Sequence, residues 1–247
     1  MFITDTFGFV HLHKSGGTFV NAFLMKFFPG GRRLNWHLPR AFIPAADRAL
    51  PIIGVVRNPW DYYVSWFAFQ SQMPAHKQNA VYRTVSDDGR LGFGPTVTNL
   101  VNLGDDPRRL SAIRSQLPDT FVDHGVNLTR TCLDPLPGSG LGFYAFLFHR
   151  MFARQEFGDI SGATFAHMES LGVELLDLLR GVGVTVTDEM HDHALHSEKR
   201  NVTEHAPFRV YYEHEPRLRA LIAARDRDVI DRFGYAFSPA LAVPSRR

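Results

Sequence analysis

Lysine, two hydroxyl residues and two glycines stand together near the start of the chain, in the string His11-Leu12-His13-Lys14-Ser15-Gly16-Gly17-Thr18. An apolar run, Phe7 to Val10, precedes the string, and a helix-like stretch, Phe19 to Phe28, follows it. A strand, a glycine-rich turn and a helix in that order form a socket for a phosphate-like anion. Backbone N–H groups converge on the ligand, the helix N-terminus favours negative charge, and Lys14 and Thr18 add a cation and a hydroxyl.

A nucleoside triphosphate is the first ligand to consider, because Gly8 and the His13-Lys14-Ser15 step come close to G-x-x-x-x-G-K-[ST]. The match fails on physical grounds. Gly8 falls inside the expected strand, His13 replaces the glycine that precedes the lysine, and the glycines follow the lysine instead. No magnesium-holding aspartate ends the second apolar strand, Pro51 to Val56, which runs into Arg57-Asn58-Pro59.

That second strand opens another junction. Asn58 is a good N-cap, Pro59 suits the first helical position and Asp61 the acidic first turn. Ser65 lies one turn after Asp61 on the same helix face, so Arg57 and Ser65 form a second anion site. Two strand-to-helix junctions suit a ligand with negative groups at both ends of a nucleoside.

HxHKSGGT followed by V-V-R-N-P-W-D-Y-Y-V-S resembles the two cofactor signatures of sulfotransferases that use 3′-phosphoadenosine 5′-phosphosulfate, with the bacterial and Golgi carbohydrate-type branch the nearest in character. The resemblance implies a P-loop-like sulfotransferase fold and transfer of a sulfuryl group to an acceptor hydroxyl, or an amine, without a metal. It implies that Lys14, Ser15, Gly16, Gly17, Thr18 and Phe19 hold the 5′-phosphosulfate, and that Arg57 and Ser65 hold the 3′-phosphate. Lys199 and Arg200, in the family's corresponding segment, would close over the 3′-phosphate. Phe165 to Gly183 and Asn201 to Phe237 resemble later family segments, whereas Ser71 to Phe143 match none. An ATP-dependent phosphotransferase and a non-catalytic binder of adenosine 3′,5′-bisphosphate are the competing readings.

In-line sulfuryl transfer leaves the protein to position groups and stabilise charge. Lys14 is the expected neutraliser of the leaving phosphate oxygen. A hydroxyl acceptor also needs a base, and His37 leads because it follows a short strand, Arg32 to Trp36, at the same rim. His13 and Glu169 are alternatives, and one of His11 and His13 is expected to be structural. His191, His193, His196 and His205 with Asp188 and Asp192 match no closed zinc spacing, so a polar loop is expected there rather than a metal site.

The elements that must position these residues read as one α/β domain over 1–247, with a mostly parallel central sheet flanked by helices. Helices are expected over Phe19–Phe28, Pro59–Met73, Pro107–Leu117, Phe143–Arg154, Ser170–Leu179 and about Glu213–Phe233. Periodicity is lost from Pro74 to Leu103, and the wider stretch 74–142 reads as a loop-rich insertion that shapes the acceptor site. A net charge of +2 without a basic block gives no sign of nucleic-acid binding. Cys132 is alone, no stretch reaches membrane-spanning length, and no signal-like segment precedes the first strand, so a cytoplasmic protein without a membrane anchor is expected. The acceptor, an alcohol, carbohydrate or other small molecule, and the oligomeric state are not readable from these residues.

Overall fold

The computed structural model describes residues 1–123, 127–197 and 203–237. Its centre is an open sheet of β1 (Phe2–Ile3), β2 (Gly8–Val10), β3 (Arg32–Arg33), β4 (Ile52–Val56) and β5 (Ala163–His167), in the order β3-β1-β2-β4-β5. Strands β2, β4 and β5 run parallel, while β1 is antiparallel to both β2 and β3. The chain is therefore α/β with a mixed sheet, in which β2, β3, β4 and β5 share one direction and β1 alone of the five opposes them. The opposed strand, Phe2–Ile3, is too short to show a period and folds back through a Thr4–Phe7 turn. Thr4 Oγ1 accepts the N–H groups of Thr6 and Phe7 at 3.2 and 3.0 Å and so fixes that turn.

Alternation along β4 divides the core. Ile52 and Val56 face one layer and Ile53 and Val55 the other, as a period of two requires. The second layer is built from α1 (Gly17–Phe27), α7 (Leu171–Gly181) and α8 (Asp188–His196). The first layer holds α2 (Pro59–Ser71) and α6 (Phe143–Phe152). Helix α2 starts as its sequence dictates. Asn58 Oδ1 accepts from the N–H groups of Trp60 and Asp61 at 3.0 and 3.4 Å, with Pro59 at the first position. Trp60, Tyr62, Tyr63, Val64, Ser65 and Trp66 are all buried, so this helix runs through the interior instead of lying on the surface.

The 74–142 stretch holds α3 (Ala80–Val85), α4 (Phe93–Val101) and α5 (Pro107–Arg114). Val81, Tyr82, Val85, Val97, Leu100, Leu110 and Ile113 join the same core cluster as α2 and α6. Helix α5 falls within the expected Pro107–Leu117, whereas α3 and α4 are too short for a clear period, and Gly, Pro and Asp around them disguise the pattern. The expected last helix is two, α9 (Pro216–Arg225) and α10 (Arg227–Phe233), broken at Asp226. Residues 188–196, expected as a polar loop, form α8, capped by the Thr187 hydroxyl on the Met190 N–H at 3.2 Å. No helix among the described residues is long and apolar enough to cross a membrane.

Candidate anion-binding site

The register places Val10 beside Gly54 and Val56 beside His167, so the segments leaving β2, β4 and β5 emerge at one edge. That C-terminal edge is where α/β sheets gather ligands. The loop 11–16 turns sharply there, with Lys14 at φ +54° and Gly16 at φ +75°. Both glycines are required by close approach. A Cβ at Gly16 would overlap the Met168 sulfur, and one at Gly17 would overlap the His11 ring. Helix α1 begins at Gly17; the Phe19 N–H is bound to the Gly16 carbonyl at 3.0 Å, whereas the Gly17 and Thr18 N–H groups precede the helical ladder and can meet an anion.

Lys14 is the central charge. Its Nζ lies 3.9 Å from the centre of the Phe69 ring and 3.4 Å from the Thr203 hydroxyl, and among the described residues it forms no ion pair. Burial first, and then the nearby Arg57 cation, lower its pKa to about 8. Arg57 donates from Nη1 to the Lys14 carbonyl at 2.9 Å, which ties the two junctions together. The same guanidinium pairs with Asp61 through Nε and Nη2, at 2.9 and 2.8 Å. Ser65 lies one turn beyond Asp61, only 4% exposed, and no hydrogen bond joins it to Arg57. Thr18 and Phe19 are half-buried in the first turn of α1, and Phe19 packs against the second core layer. Ser15, fully buried, donates to the His13 carbonyl at 3.2 Å.

Tyr144, which nothing in its sequence surroundings distinguished, stands between the junctions. Its hydroxyl accepts the Arg57 N–H at 2.8 Å and meets the Ser15 hydroxyl, and burial holds its pKa above the usual phenol value. Glu169 accepts the Asn58 N–H at 2.8 Å with one oxygen and the Tyr235 hydroxyl at 3.4 Å with the other. It thus fastens the end of β5 to the start of α2.

His37 lies beside this loop, at φ +48°. Its Nδ1 is 2.8 Å from the His11 carbonyl, so Nδ1 carries the proton and Nε2 is the acceptor. The His37 ring stacks on His13, centroids 3.8 Å apart and planes 14° apart, and lies 4.2 Å from His11. His11 accepts from Asn21 Nδ2 at 3.1 Å, and the same amide donates to the Gly17 carbonyl at 2.8 Å. Burial and then the neighbouring imidazoles push His11 and His37 well below the ordinary histidine range.

Comparison with family models, with curated proteins and with solved structures gives no match. The geometry therefore stands by itself. Lys199 and Arg200 lie outside the described residues. Among those described, no group of three or more His, Cys, Asp or Glu side chains is arranged to hold a metal ion. Lys14, Arg57 and the start of α1 together can bind an anion, and a neutral imidazole lies next to them. Sequence reasoning missed Tyr144 and Asn21, because neither belongs to a motif; Tyr144 acts through tertiary contact, and Asn21 joins the His11 ring to the Gly17 carbonyl one turn before it.

Proposed function

We propose that the chain is a sulfotransferase with a P-loop-like fold, moving a sulfuryl group from 3′-phosphoadenosine 5′-phosphosulfate to an acceptor hydroxyl. The observation that carries this reading is a half-buried lysine that forms no ion pair among the described residues, on a loop whose Lys14 carbonyl accepts from a second cation, Arg57. Asp61 offsets the Arg57 charge, whereas the partly desolvated Lys14 ammonium has no ion-pair partner among the described residues, so the site fits an anionic donor. Lys14, Ser15, Thr18 and the backbone N–H groups at the start of α1 would hold the 5′-phosphosulfate, and Arg57 with Ser65 the 3′-phosphate. When bound, the donor supplies an activated sulfuryl group on a phosphate leaving group. Lys14 then neutralises charge on the phosphate side, and the first turn of α1 orients the anion. His37, neutral with Nε2 unprotonated, takes the proton of an alcohol or carbohydrate acceptor. Two protein cations meet the need for positive charge, so activity without a metal is expected, in a cytoplasmic enzyme.

Calorimetric titration with adenosine 3′,5′-bisphosphate in EDTA tests the reading, on wild type and Arg57→Ala. Micromolar or tighter binding that weakens by roughly 30- to 1,000-fold in the variant is expected, as for truncation of a buried charge pair. No binding, or a preference for Mg-ATP, would replace this reading with a phosphotransferase. Binding without turnover on any acceptor would indicate a non-catalytic relative.

A further inference from the structure

We propose that His11, His13 and His37 act as one unit, in which His13 and His11 are positioning residues that hold His37 as a neutral base with Nε2 presented to the acceptor. The proposal rests on the sulfotransferase reading for the identity of the reaction, but its geometry is independent of it. The tautomer is set first: a carbonyl only accepts, so the 2.8 Å contact with the His11 oxygen places the proton on His37 Nδ1. Orientation is set next, because the ring lies nearly parallel to His13 at 3.8 Å and against His11 at 4.2 Å. His11 is itself fixed by Asn21, which also grips the Gly17 carbonyl at the start of α1. The stack is thereby tied to the same turn that carries Lys14. His37 also sits at φ +48°, an unfavourable backbone conformation for a non-glycine residue that persists only where its surroundings enforce it.

Burial comes first in keeping His37 neutral, followed by the basic groups that face it. They are the imidazoles of His13 and His11 on the loop after β2, and the Met1 amino group just before β1. Trp36 lies beside it, with centroids 6.5 Å apart, and carries an Arg33–Asp123 pair whose charges offset each other at 3.3 Å. Protonating His37 would therefore bury a cation among other basic groups. In the reaction, the acceptor proton passes to Nε2, and the acceptor oxygen keeps the electron pair that forms its bond to sulfur. The sulfur–oxygen bond to the donor phosphate breaks, and its pair stays on that phosphate.

Nitrogen-15 spectra of histidine-labelled protein, titrated between about pH 5 and 8, read the unit directly, without turnover. Wild-type His37 is expected to keep a protonated Nδ1 and bare Nε2 throughout, whereas a free histidine titrates near about 6.5. His13→Ala removes the stack and is expected to bring His37 titration into that range. The acid limb of kcat/KM should move up by about one pH unit with it. His13→Phe keeps a stacked ring without a titratable nitrogen, so it should retain the orientation and shift the titration less, and it guards against a folding defect. Ordinary titration of His37 in wild type, or no change in His13→Ala, would overturn the proposal. Bisphosphate calorimetry separates the two failures. A wild type that does not bind refutes the sulfotransferase base role even if the spectra behave as expected. One that binds while His37 titrates normally refutes the stack alone.

Discussion

Lys14 is held against the Phe69 ring and forms no ion pair among the described residues, and this sets how the site should respond to pH. Its pKa is lowered to about 8, so without a ligand the ammonium begins to lose its proton just above neutrality. An anion stabilises the ammonium and raises that pKa, so binding takes up a proton above about pH 8. Affinity for adenosine 3′,5′-bisphosphate should therefore be level below pH 7 and fall as pH rises past 8, by up to about tenfold per unit. Calorimetry at pH 7, 8 and 9 checks this, and Lys14→Met should remove the dependence together with most of the affinity. Gly17 offers a test that does not touch charge. A methyl group there overlaps the fully buried His11 ring, so Gly17→Ala should cost about 1–3 kcal/mol in chemical denaturation.

At the scale of elements, Asp226 explains a break that periodicity along Glu213–Phe233 does not show. The chain leaves the helical path so that one carboxylate can reach the N-terminus of α6. There it accepts the Ala145 N–H at 2.8 Å and the Tyr63 hydroxyl at 2.9 Å. Burial raises its pKa to about 7 against those stabilising bonds. Because the folded value lies above the unfolded one, near 3.8, the folded chain binds more protons across that interval. The associated stability is complete below about pH 4 and is lost as pH rises through 7, on the order of a few kcal/mol. Melting temperature measured from pH 4 to 8 should decline over that window, and Asp226→Asn should flatten the decline. Tyr144, on the same helix, links this network to Arg57, since its own N–H is bound by the Tyr63 hydroxyl at 3.1 Å. Tyr144→Phe orphans the buried Arg57 N–H, and a loss of about 1–3 kcal/mol in stability is expected, with weaker bisphosphate binding.

Across the whole molecule, the helices of 74–142 share one cluster with α2 and α6, so they should melt with the sheet. Leu100, wholly buried in α4, is the direct probe. Leu100→Ala should lower stability by about 2–5 kcal/mol while thermal unfolding keeps a single transition. A separate early transition would show that this segment folds apart from the rest.

The sequence alone determined the local chemistry of the two junctions. Asn58, Pro59 and the apolar run before them dictate a strand followed by a capped helix, and the structure has both. Lys14 and the glycines likewise dictate a tight turn into α1, because these preferences act over a few residues of chain. The antiparallel β1 was not readable, because two residues carry no period. Helices α3 and α4 were hidden for a similar reason, being short and separated by turn residues, whereas α5 was expected as Pro107–Leu117. Only the tertiary structure decided what the motif residues touch. It set Arg57 against both Asp61 and the Lys14 carbonyl, put Tyr144 between the junctions, and gathered three histidines from two segments into one stack. Those contacts depend on strand order, register and the path of α6 through the core. Such long-range choices are made by burial and close packing, and no local spacing records them.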